Sequence, residues 1–338
     1  MKATQGQSCQ KNDRKGWINM ADKKIWAFFL QLSNHMWDDE DCELPVGWYL
    51  PPTRFEAENK TDLAVWDRTV QFIAQRGYNM LVIDVGDGIR YDSHPEISAP
   101  DAWSKEFLKK KLDELRALGI EPIPKLNFSA GHHTWLKGYN RMVSTPVYYQ
   151  VCADLIAEVC EAFGRPRLFH LGLDEETCEH QKRQAHAIVR GEKLWWHDCH
   201  FLFEQCEKNG ARPWVWSDCY WYNSEAFIRN MPKSVLQSNW YYDNFKVYPA
   251  GDLNNKAIST YEELDRLGYD QIPGCSLWMH TFNAEQTVAY AKDRLSEDLL
   301  KGFLIIPWTW TFESEEYTLQ DNAHRLWLAR KKYYPETL

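Results

Sequence analysis

The run His170-Leu171-Gly172-Leu173-Asp174-Glu175-Glu176 places three consecutive carboxylates at the end of a short apolar stretch. Like charges this close cannot all ionise freely. The triplet therefore predicts at least one carboxyl with a raised pKa, as a general acid working near neutrality requires. Glu175 is the natural candidate for that acid. Further groups suited to hydroxyls and ring faces follow other apolar runs: Asn34, His35, Trp37 and Asp38; Asp84, Asp87 and Arg90; Asn127, His132 and His133; Trp216 and Asp218; Trp240, Tyr241 and Asp243; Trp278 and His280; Trp308, Trp310 and Glu313. Carboxylates and amides bind hydroxyls, and indoles stack on flat apolar sugar faces. The chemistry that these residues share is carbohydrate binding.

The elements that must position them repeat along the chain. An amphipathic helix, a terminal glycine and an apolar β-rich run recur, with Gly77, Gly119, Gly164, Gly210, Gly268 and Gly302 in the glycine's place. Glycine adopts the left-handed conformation that closes a helix, so each one predicts a helix end feeding a strand. The first helix carries Leu63, Trp66, Val70 and Ile73 on one face behind a Thr61 cap; the second carries Phe107, Leu108, Leu112, Leu115 and Leu118. Eight strands are predicted, over 25–35, 79–85, 121–128, 167–173, 213–219, 234–241, 272–279 and 303–309. Near-continuous apolar strands alternating with helices indicate a parallel sheet buried on both faces. Eight such units fit a single-domain (β/α)₈ TIM barrel over 23–338, with 1–22 as an N-terminal extension and 38–58 as a long loop. In such barrels the chemistry sits where strands end, which is where the candidate residues lie.

Charge and composition exclude several classes of function. The 338 residues carry a net charge of −9 and no basic stripe, so nucleic acid is not an expected partner. No run approaches the roughly 18 apolar residues that a membrane span needs. The polar stretch 1–22 has no apolar core of a secretory signal, and the reading is a soluble chain with no visible signal peptide. The nine cysteines are scattered without paired C-x-x-C spacing and read as reduced, mainly buried residues. No metal site is expected, since the first strand ends in the lone His35 and not in a His-x-His pair. The 17 Trp, 17 Tyr and 15 Phe suit a carbohydrate ligand, although most of these rings belong to packing.

The fourth-strand run resembles glycoside hydrolase family 20, the β-N-acetylhexosaminidases and their relatives. That family's fourth strand carries H-x-G-x-D-E, matched by His170, Gly172, Asp174 and Glu175. Ile123-Pro124-Lys125-Leu126-Asn127-Phe128-Ser129-Ala130-Gly131-His132 is similar to its third-strand I-P-E-I-D-x-P-G-H, with one extra residue before Gly131. Asp87-Gly88-Ile89-Arg90 and Pro95-Glu96-Ile97 are similar to its D-x-G-x-R and P-E-L segments. The resemblance implies an exo-acting, retaining, substrate-assisted hydrolase of terminal β-linked N-acetylhexosamine that uses neither metal nor organic cofactor. Glu175 would protonate the leaving oxygen and then activate water, while Asp174 would hold the 2-acetamido N–H. The resemblance also places Tyr241 of Trp240-Tyr241-Tyr242-Asp243 on the acetamido group and Trp278 in the pocket. His170, Asp87, Asn127, His132 and Asp218 join the substrate-binding set.

The chain departs from the family's pattern at several places. Lys125 and Asn127 stand for two acids, and Ser33-Asn34-His35 stands where the family usually carries an arginine. His280 replaces the acid of L-W-x-E, leaving Trp310 and Glu313 as candidate substitutes. These changes keep two alternatives open. One is a glycosidase on a non-acetylated sugar, using Glu175 with a second carboxylate such as Asp218 or Glu313. The other is a non-catalytic carbohydrate-binding barrel.

Overall fold

The computed structural model describes residues 23–38 and 57–338. The expected extension 1–22 and most of the 38–58 loop fall outside the described residues. The chain runs β1 (Ile25–Gln31), α1 (Leu63–Gln75), β2 (Met80–Asp84), α2 (Lys105–Ala117), β3 (Glu121–Lys125), α3 (Pro146–Ala162), β4 (Leu168–His170) and α4 (Glu192–Lys208). It continues with β5 (Arg212–Trp216), α5 (Cys219–Tyr222), α6 (Ser224–Asn230), β6 (Leu236–Ser238), α7 (Leu253–Arg266), β7 (Gly274–Cys275), α8 (Asn283–Arg294), β8 (Gly302–Ile305) and α9 (Glu316–Tyr333).

All eight expected strands form one parallel sheet in the order β6-β5-β4-β3-β2-β1-β8-β7. Parallel bridges Gln237↔Gln271 and Trp240↔Gly274 join β6 to the β7 segment, so the sheet curls into a (β/α)₈ barrel. Strand alternation separates two apolar layers. Ala27, Phe29, Val82, Ile123 and Leu304 fill the interior, while Trp26, Phe28, Leu81 and Phe303 pack outward against the helices. The cysteines described are unpaired, most of them buried; Cys178 is exposed. No helix among the described residues is long and apolar enough to cross a membrane.

The strands are shorter than expected, chiefly at their C-terminal ends. Leu32 N and Ser33 N still reach the Asp84 carbonyl, but beyond them the chain leaves β2 and its polar groups turn to side chains: His35 N donates to Ser33 Oγ, and Asn34 N to Asn59 Oδ1 at 2.8 Å. Helix α1 is capped by Asp62, whose carboxylate accepts from Ala64 N and Val65 N, and not by Thr61, whose hydroxyl turns to the Leu32 carbonyl. Leu63, as the first helical residue, stays 42% exposed.

Five of the six glycines do close helices with positive φ, between 69° and 80°. Gly302 does not. It opens β8, where an added Cβ would lie 2.0 Å from the Ile25 carbonyl oxygen, so close approach of two backbones requires glycine there.

Candidate active site

The acidic run sits where β4 leaves the barrel. Gly172 (φ 71°), Leu173 (φ 65°) and Glu175 (φ 54°) all take left-handed backbone, which costs energy at the two non-glycine positions and must be held by contacts. Asn127, just beyond β3, supplies several of them. Its Oδ1 accepts from Ser129 N (3.0 Å) and Leu173 N (3.3 Å), and its Nδ2 donates to Asp174 Oδ1 at 2.9 Å. The Ser129 hydroxyl donates to the Asp174 carbonyl. An added Cβ on Gly172 would overlap the Asn127 amide at 1.9 Å, so the glycine of this run is needed for space as well as for φ.

His132 joins the two acids. Its Nε2 lies 3.0 Å from Glu175 Oε2 and 3.3 Å from Asp174 Oδ2, and His180 Nε2 lies 3.2 Å from Glu175 Oε1. Burial alone would strip His132 of its proton, but the two carboxylates overrule it and raise its pKa to about 10. Burial likewise pushes both acids up. The imidazole neighbours win again, and Asp174 and Glu175 titrate below their ordinary values.

The expectation of a raised pKa within the acid triplet is therefore corrected for Asp174 and Glu175. Two neighbouring carboxyls are raised instead: Asp218, driven up by burial and then by the charge of Asp174, and Asp84, driven up by burial against the opposing charge of Lys125. Asp218 Oδ2 accepts from Glu175 N at 2.8 Å, which places that carboxyl behind the acid's backbone. His132, Asp174 and Glu175 are also the place among the described residues where three metal-capable ligand atoms converge, within 4.8 Å. The imidazole itself engages both carboxylates.

These shifts fix a pH dependence of stability. A raised imidazole stabilises fully below its unfolded value near 6.5 and loses that contribution as pH climbs towards 10. The depressed carboxylates stabilise above their unfolded values near 4 and lose that contribution on acidification. Melting temperature should thus fall more steeply between pH 6.5 and 10 in the parent than in His132→Gln. Parallel slopes in a thermal-melt series would contradict the ion pairing.

Below the acids, Lys125 and Asp84 form a fully buried ion pair between neighbouring strands. Beside it His170 is kept neutral, first by burial and then by the charge of Lys125. Its Nδ1 accepts from Gly172 N at 3.0 Å, and its ring lies 4.6 Å from Trp216 and 4.8 Å from Trp214. Aromatic residues wall the mouth. Trp308 contacts Phe29, Trp37, Trp216 and Tyr242; Trp37 stands edge-on to His132; Tyr242 stacks on Trp240 at 4.9 Å. Buried polar atoms around this floor lack hydrogen-bond partners among the described residues: both side-chain ends of Gln31, Asp84 Oδ1, His132 Nδ1, His170 Nε2 and Trp216 Nε1. That is unspent hydrogen-bonding capacity.

The structure thus brings together Asp174, Glu175, His132, Asn127 and His170, with Trp240 in the wall and Asp218 behind. Other expected residues lie elsewhere. Asp87 is taken up by Ser33 (2.7 Å) and His35 (2.5 Å), tying the loops after β1 and β2. Tyr241 belongs to the outer layer, edge-on to Phe245 and with its hydroxyl against Tyr248, whereas Tyr242 feels the charges of Asp174 and Glu175. Trp278 is 42% exposed on the loop after β7, and Trp310 packs on Phe312. Glu313 is exposed, and its charge acts on Arg68 of α1. His180 was not among the expected residues; it lies in an irregular loop that carries no periodic signal.

No family model matches this sequence, and no curated protein matches it. Solved structures do match. A Flavobacterium johnsoniae chitobiase superposes with a TM-score of 0.56 at 15% identity, over 84% of this chain and 50% of that one. A family 20 exo-β-N-acetylglucosaminidase from Vibrio harveyi, bound to N-acetylglucosamine, gives 0.58 at 11%, over 94% and 58%. This chain has the barrel fold of the family 20 glycoside hydrolases. A Streptomyces plicatus β-hexosaminidase variant bound to its product N-acetylglucosamine gives 0.56 at 12%, over 92% and 68%. The chain spans between half and three fifths of the length of the first two family 20 structures.

Proposed function

We propose that this chain is a glycoside hydrolase that removes terminal β-linked N-acetylhexosamine with retention, using the substrate's own acetamido group as nucleophile. The observation that carries the reading is the pair of adjacent carboxylates sharing one imidazolium at an aromatic-walled barrel mouth. Two acids with one shared proton can hold different protonation states in one turnover. The N-acetylglucosamine complexes among its fold neighbours support the choice of sugar.

Without substrate, the two carboxylates hold the proton on His132, and both acids are ionised. A sugar covering Glu175 removes its water, makes its charge costlier and draws the proton 3.0 Å across from His132. Asp174, held by Asn127, stays charged and accepts the acetamido N–H. As Glu175 gives its proton to the leaving oxygen, the acetamido carbonyl oxygen attacks the anomeric carbon and the glycosidic bond breaks, leaving a cyclic oxazolinium. Glu175 then takes a proton from the water that opens the ring, restoring the acid and the configuration.

The two-carboxylate alternative has weaker geometry, since Asp218 is engaged by the backbone of Glu175 and Glu313 is exposed. An aryl glucosaminide series carrying N-acetyl, fluoroacetyl, difluoroacetyl and trifluoroacetyl groups tests the reading. Each fluorine weakens the carbonyl nucleophile, so kcat/KM should fall stepwise. A flat series would point to a protein nucleophile.

A further inference from the structure

The Glu175 carboxyl is held at both oxygens. Its Oε2 lies 3.0 Å from His132 Nε2, and its Oε1 lies 3.2 Å from His180 Nε2. The two imidazoles arrive on different loops and differ in access: the His132 side chain is 3% exposed, that of His180 33%. His132 also serves Asp174 and stores the proton of the proposed mechanism, whereas His180 pairs with Glu175. His180 stands in the turn that follows the acid, where Thr177 N donates to the Glu175 carbonyl at 2.7 Å. Gly131 lets this turn approach the loop that carries His132, since an added Cβ there would lie 2.9 Å from the Glu175 carbonyl oxygen and 3.3 Å from His180 Cβ.

An ionised carboxylate only accepts, so the hydrogen between His180 and Glu175 belongs to Nε2. The other ring nitrogen, Nδ1, lies 2.8 Å from the Thr177 hydroxyl. That hydroxyl accepts from His180 N at 3.4 Å and keeps its own hydrogen for the ring. Thr177 thereby fixes the tautomer. The terminal torsion of a glutamate is broad and roughly two-fold, so a carboxyl held at one oxygen can exchange the places of the two. We propose that His180 is a positioning residue that holds Oε1, so that Oε2, the oxygen facing His132, takes up the proton and passes it to the leaving group. The assignment rests on the hydrolytic reading. The other groups whose charges act around this carboxyl are Asp174 after β4, Asp218 after β5, Tyr222 of α5 and Tyr242 after β6.

Kinetics of the full chain on aryl β-N-acetylglucosaminides, with His180→Leu and His180→Gln, test it. Leucine removes the donor and should lower kcat by about ten- to a hundredfold on a poor leaving group, the range of a hydrogen bond to a charged group, with KM little changed. The loss should shrink on a nitrophenyl leaving group. Ionised Glu175 also loses a stabilising bond, so the acid keeps its proton longer and the alkaline limb of kcat should move up by about one pH unit. Glutamine keeps an N–H in reach and should recover most of the rate and return the limb to its parent position. An unmoved limb in His180→Leu, or a His180→Gln variant as impaired as His180→Leu, would overturn the proposal. If His180→Leu does not fold, Thr177→Val, which frees the ring, should lower kcat and move the limb in the same direction, and an unmoved limb there has the same force. A parent that releases no aryl group fails the hydrolytic reading instead. Heteronuclear NMR of the imidazole nitrogens then still decides on His180: its hydrogen should sit on Nε2, and a ring protonated at Nδ1 alone would overturn the assignment.

Discussion

Glu175→Gln is expected to lower kcat/KM by about 10²–10⁴-fold on an N-acetylhexosaminide with a poor leaving group, the usual range for loss of a general acid. The loss should be smaller with a nitrophenyl leaving group, which needs little protonation. The fold should survive: glutamine has the same shape, Glu175 N still donates to Asp218, and Asp174 still faces His132. Stopped assays on both leaving groups, with circular dichroism on the same samples, make the check. Equal losses on the two substrates would remove Glu175 from the acid role, and full activity would remove it from the mechanism.

The second large effect is on stability. Lys125→Met takes the partner from Asp84 inside the barrel, and breaking a fully buried pair by removing one member typically costs about 3–5 kcal/mol. Burial already pushes Asp84 up, with Lys125 the main opposing influence, so the single variant should protonate Asp84 and unfold at lower urea. The double variant Lys125→Met, Asp84→Asn removes both charges and should recover part of the loss. A single variant within about 1 kcal/mol of the parent, judged from urea midpoints, would contradict the pairing.

Much of this could be read from the chain, for identifiable reasons. The barrel is legible because each β/α unit repeats the same physical needs: a one-sided helix, a left-handed residue such as Gly77 or Gly119 to end it, and an apolar strand buried on both faces. Asp174 and Glu175 are legible because the run from His170 packs a glycine and two acids into one tight strand end. What sequence could not give is whatever depends on chain direction after a strand has ended. Alternation would carry Trp240 and Tyr241 onward from β6, but the strand stops at Ser238, and Tyr242 turns to the acids instead. The lowered pKa of Glu175 was hidden for a related reason. It depends on His132 and His180, which arrive on two different loops, and no spacing within the acid run reports them. Lys125 is a milder case: its pairing with Asp84 follows from the β2–β3 register, which places the two residues side by side.

In the proposed mechanism the acetamido group of the substrate, held by Asp174, takes part in the chemistry. The most direct measurement is aryl release from β-N-acetylglucosaminide and β-glucoside by the parent and by Asp174→Asn. Turnover of the acetamido sugar alone is expected, with its loss in the variant. Turnover of the plain glucoside at a comparable rate, or an Asp174→Asn variant as active as the parent, would contradict it.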